Sequence, residues 1–272
     1  MSVIIAVASG KGGVGKSVIT ANTAACIAMS GKRVLVVDAD IGLRSQDALL
    51  SLENRVVYDL VDLSRGECLP EEAILPSEKY SSLYLLPAAQ FERVKALSAD
   101  KFRKLLSSLR DRYDYIFIDC PAGIERGLRT VLKAGVDETV LVVTPDDISV
   151  RSAERTAQII SDKDAPRPRL IVNRIDRDLV IAGEMMSEQT VSQVLDLPLL
   201  GVVPEDPVVF RAQLKHDLFI SYDCEARNAI LRIAARIQGR NMPFPPAGRR
   251  KKHLFRNLFS GSLKEVVPID DH

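Results

Sequence analysis

Gly10-Lys11-Gly12-Gly13-Val14-Gly15-Lys16-Ser17 decides the fold. It follows directly on the apolar run Val3-Ile4-Ile5-Ala6-Val7-Ala8 and leads into an Ala-rich stretch, Val18 to Met29, that reads as a helix. A buried strand, a glycine loop and a helix in that order make a phosphate-binding loop. Gly10, Gly15, Lys16 and Ser17 fit its pattern, G-x-x-x-x-G-K-[ST]. The glycines let the backbone curl so that successive N–H groups point inward at a polyphosphate, and the helix adds the positive end of its dipole. Lys16 can reach the outer phosphates, and the Ser17 hydroxyl can ligate Mg²⁺. A turn that merely reversed the chain would need neither Lys16 nor Ser17.

Two further strands end in carboxylates. Arg33-Val34-Leu35-Val36-Val37 runs into Asp38-Ala39-Asp40, and Tyr115-Ile116-Phe117-Ile118 runs into Asp119-Cys120-Pro121-Ala122-Gly123. In an open α/β sheet the ligand sits outside the carboxyl ends of the strands, so these ends and the loop are expected to share one crevice. Asp119 is then placed to hold a Mg²⁺-bound water. Asp40 is placed to orient the water that attacks a γ-phosphate and to reach the metal through water, since phosphoryl transfer needs positioning and charge stabilisation more than covalent help.

Outward from these motifs, strands are expected at 3–8, 33–37, 83–86, 115–118, 139–143, 169–172 and 199–203. Helices are expected near 16–29, 98–110, 125–134, 149–162, 187–195 and 225–238. This alternation predicts an α/β fold with a doubly wound, mostly parallel sheet, P-loop NTPase-like, in one domain over 1–242. A Pro-rich linker follows at 243–248.

The chain has 272 residues, with 37 Lys+Arg against 36 Asp+Glu, a net +1, so the molecule as a whole has no charge excess suited to nucleic acid. Cys26, Cys68, Cys120 and Cys224 are widely spaced and contain no C-x-x-C, which supports neither a disulfide framework nor a zinc site. They read as thiols of a reducing cytosol. The sequence enters a core strand at once, leaving no room for a cleaved signal peptide. No apolar run approaches the length needed to span a bilayer.

Beyond the linker, Arg249-Arg250-Lys251-Lys252 precedes Leu254-Phe255 and Leu258-Phe259. On a helix over 249–260 those four apolar residues share one face. Basic charge beside a Leu/Phe face describes a helix that lies in the surface of an anionic membrane. Each Lys or Arg near such a surface contributes about 1 kcal/mol. One copy makes a marginal anchor, and two copies in a dimer a much better one. Residues 261–272, with Asp270 and Asp271, read as a disordered tail.

The second lysine of the loop, Lys11, gives the motif its closest likeness. Lys-Gly-Gly-Val-Gly-Lys-Ser resembles the deviant Walker A loop of the MinD/ParA family of dimerising ATPases. The likeness extends over roughly residues 2–260, through 36–44, 119–125, Val56-Val57-Tyr58-Asp59, Gly201-Val202-Val203-Pro204-Glu205-Asp206 and the basic C-terminus, and is greatest to the septum-site-determining members. It implies a Mg²⁺-dependent ATPase that forms a homodimer with ATP, with Lys11 reaching the partner's nucleotide. Lys11, Gly12, Gly13, Val14, Gly15, Lys16, Ser17 and Val18 would line the nucleotide, and Asn173, after Leu170-Ile171-Val172, would contact adenine. It also implies a cytoplasmic protein held peripherally on the inner face of the cell membrane. There it would recruit a division inhibitor and be released by a topological-specificity partner of the Min system.

The chain departs from that pattern at three places. Ser17-Val18 stands where two threonines are common, so Val18 offers only its backbone N–H to an α-phosphate. Ser45-Gln46-Asp47 replaces Asn-Leu-Asp, and Ser152 stands where aspartate is common. By resemblance, the last two sites lie near the dimer and partner interface. Alternatives within the family are a DNA-partitioning ParA-type ATPase, which would not need a Leu/Phe tail, and a flagellar-number regulator, which usually carries an extra N-terminal segment.

Overall fold

β1 (Val3–Ala8) is buried on both faces from Ile4 onward, as a continuous apolar run dictates for a strand in the middle of a parallel sheet. Its alternation sends Ile4, Ala6 and Ala8 into one core and Ile5 and Val7 into the other. The computed structural model of the chain describes residues 2–42, 44–90, 97–123 and 126–244.

After β1 come α1 (Lys16–Met29), β2 (Val34–Asp38), α2 (Gln46–Leu49), α3 (Leu60–Arg65), α4 (Pro70–Ala73), β3 (Leu75–Pro76) and β4 (Leu83–Leu86). The middle of the chain adds α5 (Ala99–Leu109), β5 (Tyr115–Asp119), α6 (Arg126–Ala134), β6 (Glu138–Val143) and α7 (Asp147–Ser161). The rest is β7 (Arg169–Ile175), α8 (Arg177–Ala182), α9 (Glu188–Leu195), β8 (Leu199–Pro204), α10 (Pro207–Leu214) and α11 (Glu225–Ile237). The strands lie in the order β3-β4-β2-β5-β1-β6-β7-β8. All neighbours are parallel except β3 and β4. The doubly wound, mostly parallel sheet expected from the sequence is therefore present.

Helices cover both faces. α1 and α11 pack on one through Ala21, Ala24, Ala25, Ile230, Ile233 and Ala234. α5, α6 and α7 pack on the other through Phe102, Leu106, Val131 and Ile160. Alanines let α1 lie close to the sheet, and Gly201 of β8 does the same for α11: a Cβ there would sit 2.2 Å from Ile233 Cγ1. β1 leads to α1 on one face and β5 to α6 on the other, so a crevice opens between their carboxyl ends. The register levels those ends, with Val7 beside Asp119 and Asp38 beside Asp119.

The structure adds elements that the sequence reading lacked. β3 is a two-residue antiparallel edge strand ending in Pro76, the kind of strand proline permits. α2, α3, α4, α8 and α10 are short helices of four to eight residues. α7 begins two residues earlier than expected because the Asp146 side chain caps it, accepting from the Ser149 N–H.

In the last turn of α11 the Arg236 guanidinium lies 3.8 Å from the ring centre of Phe244, beyond the helix. Arg236 also donates to the Met242 carbonyl at 2.9 Å and the Leu200 carbonyl at 2.7 Å. Leu200 lies at the start of β8 and Gln238 bonds Ser30 just past α1. The chain thus reaches Phe244 at the amino end of the strands, away from the crevice. The linker beyond Phe244, the expected helix 249–260 with Arg249, Arg250, Lys251, Lys252, Leu254, Phe255, Leu258 and Phe259, and the tail 261–272 lie outside the described residues. Among the described residues no helix is long and apolar enough to cross a membrane.

Candidate nucleotide site

The loop after β1 is held from two sides. Gly10 presses on α7, where a Cβ would come within 2.3 Å of the Ser152 carbonyl carbon and oxygen. Gly15 has φ +89°, and a Cβ there would lie 2.4 Å from Asn173 Nδ2. That close approach serves a hydrogen bond, because Asn173 Nδ2 donates to the Val14 carbonyl at 2.8 Å. Asn173, in the second half of β7, is therefore a brace beneath the loop.

Gly15 is also the N-cap of α1 and brings no capping side chain, and the first turn holds no acid. The leading N–H groups of this 14-residue helix and the positive end of its dipole are left for an anion. Gly12 and Gly13 are exposed at the loop's crest, while Val14 is buried and anchors it. Val18 packs partly buried against the α1–α11 core, which leaves its backbone N–H as its polar contribution.

Below the loop, Lys16 Nζ lies 2.5 Å from Asp119 Oδ1 and 3.5 Å from Ser17 Oγ. Both members of the Lys16–Asp119 pair are buried. Burial alone would lower the Lys16 pKa, but the facing Asp119 charge and hydrogen bond outweigh it and hold the ammonium above its ordinary value. Asp40 is half-buried two residues past β2, and its charge acts on Lys16 in the same direction. Lys16, Ser17, Asp40 and Asp119 therefore meet in one crevice, as their strand ends predict.

Lys11 stands at the rim. Its Nζ is 3.8 Å from Asp146 Oδ1, with the two side chains 45% and 47% exposed. A pair so open to water holds Lys11 only weakly.

Three residues of the site have no nucleotide-binding role in the sequence reading. Asp38 is fully buried, and its carboxylate accepts from the Asp40, Ser45 and Gln46 N–H groups, each at 3.0 Å. It ties β2 to α2 and so sets the path of the backbone carrying Asp40. Burial pushes its pKa up to about 7, and the nearby Asp119 charge adds to that. The Cys120 thiol is buried beside Asp119, and burial pushes it up to about 12, so it is an inert filler. Gln46, on the segment that the resemblance sets near the dimer and partner interface, has a wholly buried side chain. Its Nε2 donates to Asp119 Oδ2 at 2.6 Å and to the Ser17 carbonyl at 3.1 Å. Turned inward, the amide nitrogen gives two buried acceptors, the Asp119 carboxylate and the Ser17 carbonyl, a donor each. Ser152 is half-buried, its hydroxyl spent on the Ile148 carbonyl at 2.8 Å and its backbone against Gly10.

The donor set suits Mg²⁺: a hydroxyl and carboxylates, all hard oxygen ligands, beside a cradle for phosphates. A buried acceptor without a partner, Gln46 Oε1, lies at the same place. Among the described residues, no three His, Cys, Asp or Glu side chains gather to hold a metal without such a ligand.

A family model described as ParA, NUBPL iron-transfer P-loop NTPase, matches residues 1–238. The septum site-determining protein MinD of Helicobacter pylori is 41% identical over 252 residues, covering 90% of this chain and 93% of that one. The solved MinC:MinD cell division protein complex of Aquifex aeolicus superposes with TM-score 0.83 at 34% identity, covering 91% of this chain and all of that one. MinD of Pyrococcus horikoshii, solved in complex with Mg-ADP, gives TM-score 0.77 at 29% identity, covering 87% of this chain and 96% of that one. On these grounds the chain belongs to the MinD septum site-determining family of ParA-type P-loop NTPases.

Proposed function

We propose that this protein is a Mg²⁺-dependent ATPase that dimerises with ATP, binds the inner face of the cell membrane and recruits a division inhibitor to position the septum. The observation that carries the reading is the buried Lys16–Asp119 pair, 2.5 Å apart under the uncapped amino end of α1. A cation and a helix end aimed into a crevice call for a polyphosphate. The Mg-ADP bound to the Pyrococcus horikoshii relative supports this choice of ligand.

Lys16 would lean from Asp119 toward the outer phosphates while the loop N–H groups wrap them. Ser17 would ligate Mg²⁺ directly, with Asp119 and Asp40 holding its waters. Bound there, Mg²⁺ offsets the negative charge on the phosphoryl oxygens. Asp40, carried by backbone that Asp38 holds, would orient the attacking water. Asn173 has one amide hydrogen on the Val14 carbonyl, so an adenine contact would use its second N–H or its oxygen. Lys11, loosely held at the rim, is free to reach a second copy's phosphates.

Phe244, the last described residue, lies at the opposite end of the sheet from the loop. Nucleotide would control the membrane through dimerisation, which brings two weak anchors of 249–260 to one surface. The MinC:MinD complex of Aquifex aeolicus supports a division-inhibitor partner, and a topological-specificity protein is its counterpart for release.

The test is ATP turnover beside light scattering. Wild-type chain should form a dimer with ATP and not with ADP. Asp40→Ala should keep that dimer while turnover falls about 100-fold or more. Undiminished turnover would remove Asp40 from the mechanism.

A further inference from the structure

We infer that Gln46 is a positioning residue for the metal side of the nucleotide site, its Oε1 accepting a hydrogen bond from a water bound to Mg²⁺. The side chain is wholly buried, and its amide nitrogen joins the two elements that would hold the metal, Asp119 Oδ2 at 2.6 Å and the Ser17 carbonyl at 3.1 Å. Both of those partners are acceptors, so the nitrogen must face them and the orientation of the carboxamide is chemically fixed. Its two hydrogens are then spent.

Oε1 is left buried with no hydrogen-bond partner. An unmet buried acceptor in a native fold calls for an explanation, and an absent donor supplies one here. Mg²⁺ keeps several of its waters when it binds a nucleotide, and those waters are strong donors. Nothing has to move to bring Gln46 to the site, because Asp38 already clamps its backbone N–H at 3.0 Å. An apolar side chain at this position could neither hold Asp119 nor accept from a water.

The inference rests on the nucleotide reading above, and calorimetry can separate the two. ADP is titrated into full-length wild type, Gln46→Met and Gln46→Asn, in EDTA and then with Mg²⁺. Mn²⁺ binding to the ADP complexes is followed by electron paramagnetic resonance. Gln46→Met keeps the length and loses the polar atoms; Gln46→Asn keeps the carboxamide and shortens its reach. Both variants should bind ADP in EDTA as wild type does, and should bind Mg²⁺ and Mn²⁺ about tenfold more weakly. Unchanged metal affinity in both would overturn the proposal. So would a matching loss of ADP binding in EDTA, which would make Gln46 a prop of the loop alone. A wild-type chain that binds no ADP would overturn the nucleotide reading and this proposal with it.

Discussion

Lys16 and Asp119 form a buried ion pair, Nζ to Oδ1 at 2.5 Å, between the first turn of α1 and the last residue of β5. The pair links the phosphate loop to the strand end that would carry the metal's waters. Removing one member of such a pair leaves the other charge buried and uncompensated, at a cost of about 3–5 kcal/mol. Lys16→Met should therefore lose nucleotide binding and also unfold at lower denaturant, by about 3 kcal/mol, the low end because Gln46 still donates to Asp119. Urea unfolding without nucleotide reads this; full stability in the variant would show that the pair is not formed.

Lys11 should behave in the opposite way. Its ion pair with Asp146 is half open to solvent, so Lys11→Ala should change monomer stability by less than about 0.5 kcal/mol. The same substitution should abolish the ATP-dependent dimer. A normal dimer by light scattering in Lys11→Ala would end the assignment of this lysine to the partner's nucleotide.

Gly10 and Gly12 make a matched pair of probes. A methyl at Gly10 meets the backbone of α7, with Ala153 N at 2.7 Å in addition to the Ser152 contacts, whereas nothing lies within 4 Å of one at Gly12. Helix backbone cannot swing aside as a side-chain tip can. Gly10→Ala should cost about 1–3 kcal/mol in denaturant unfolding. Gly12→Ala should stay within about 0.5 kcal/mol. Equal stability of the two variants would mean that α7 does not rest on the loop.

One pH dependence of stability arises away from the site. Glu188 accepts two hydrogen bonds from Arg177, at 2.7 and 2.9 Å. Burial alone would raise the Glu188 pKa, but Arg177 outweighs it and holds the carboxyl below its ordinary 4.5. A carboxyl with a depressed folded-state pKa binds fewer protons folded than unfolded. Its contribution is thus present above about 4.5 and is lost as pH falls through the lower folded value. Arg177→Met should cost about 1 kcal/mol at neutral pH and flatten the acid side of the stability curve, with nothing gained above pH 7. An unchanged acid slope would refute the linkage.

The parts of the fold legible in the sequence were those with repeated local signals. β1, β2 and β5 are uninterrupted apolar runs; β1 spans 3–8 as expected, and β2 and β5 each run one residue further, into Asp38 and Asp119. α3 was missed although Asp59 and Asp62 form a capping box and Gly66 closes it with φ +77°, because six residues hold too little periodicity to notice. In the site, Lys16, Ser17, Asp40 and Asp119 were legible because spacing after a strand fixes where such residues fall. Gln46 and Asp38 were not, because their roles depend on a turn of backbone. Asp38 collects three N–H groups from residues up to eight positions on, and that folding-back swings Gln46 inward. No local pattern announces it.

Sedimentation with anionic vesicles tests the central claim most directly, comparing ATP with ADP and the full chain with one stopped at Gly248. The account predicts pelleting only for the full chain with ATP. Pelleting with ADP, pelleting of the shortened chain, or a full chain that stays in the supernatant with ATP would each contradict a nucleotide-switched membrane dimer.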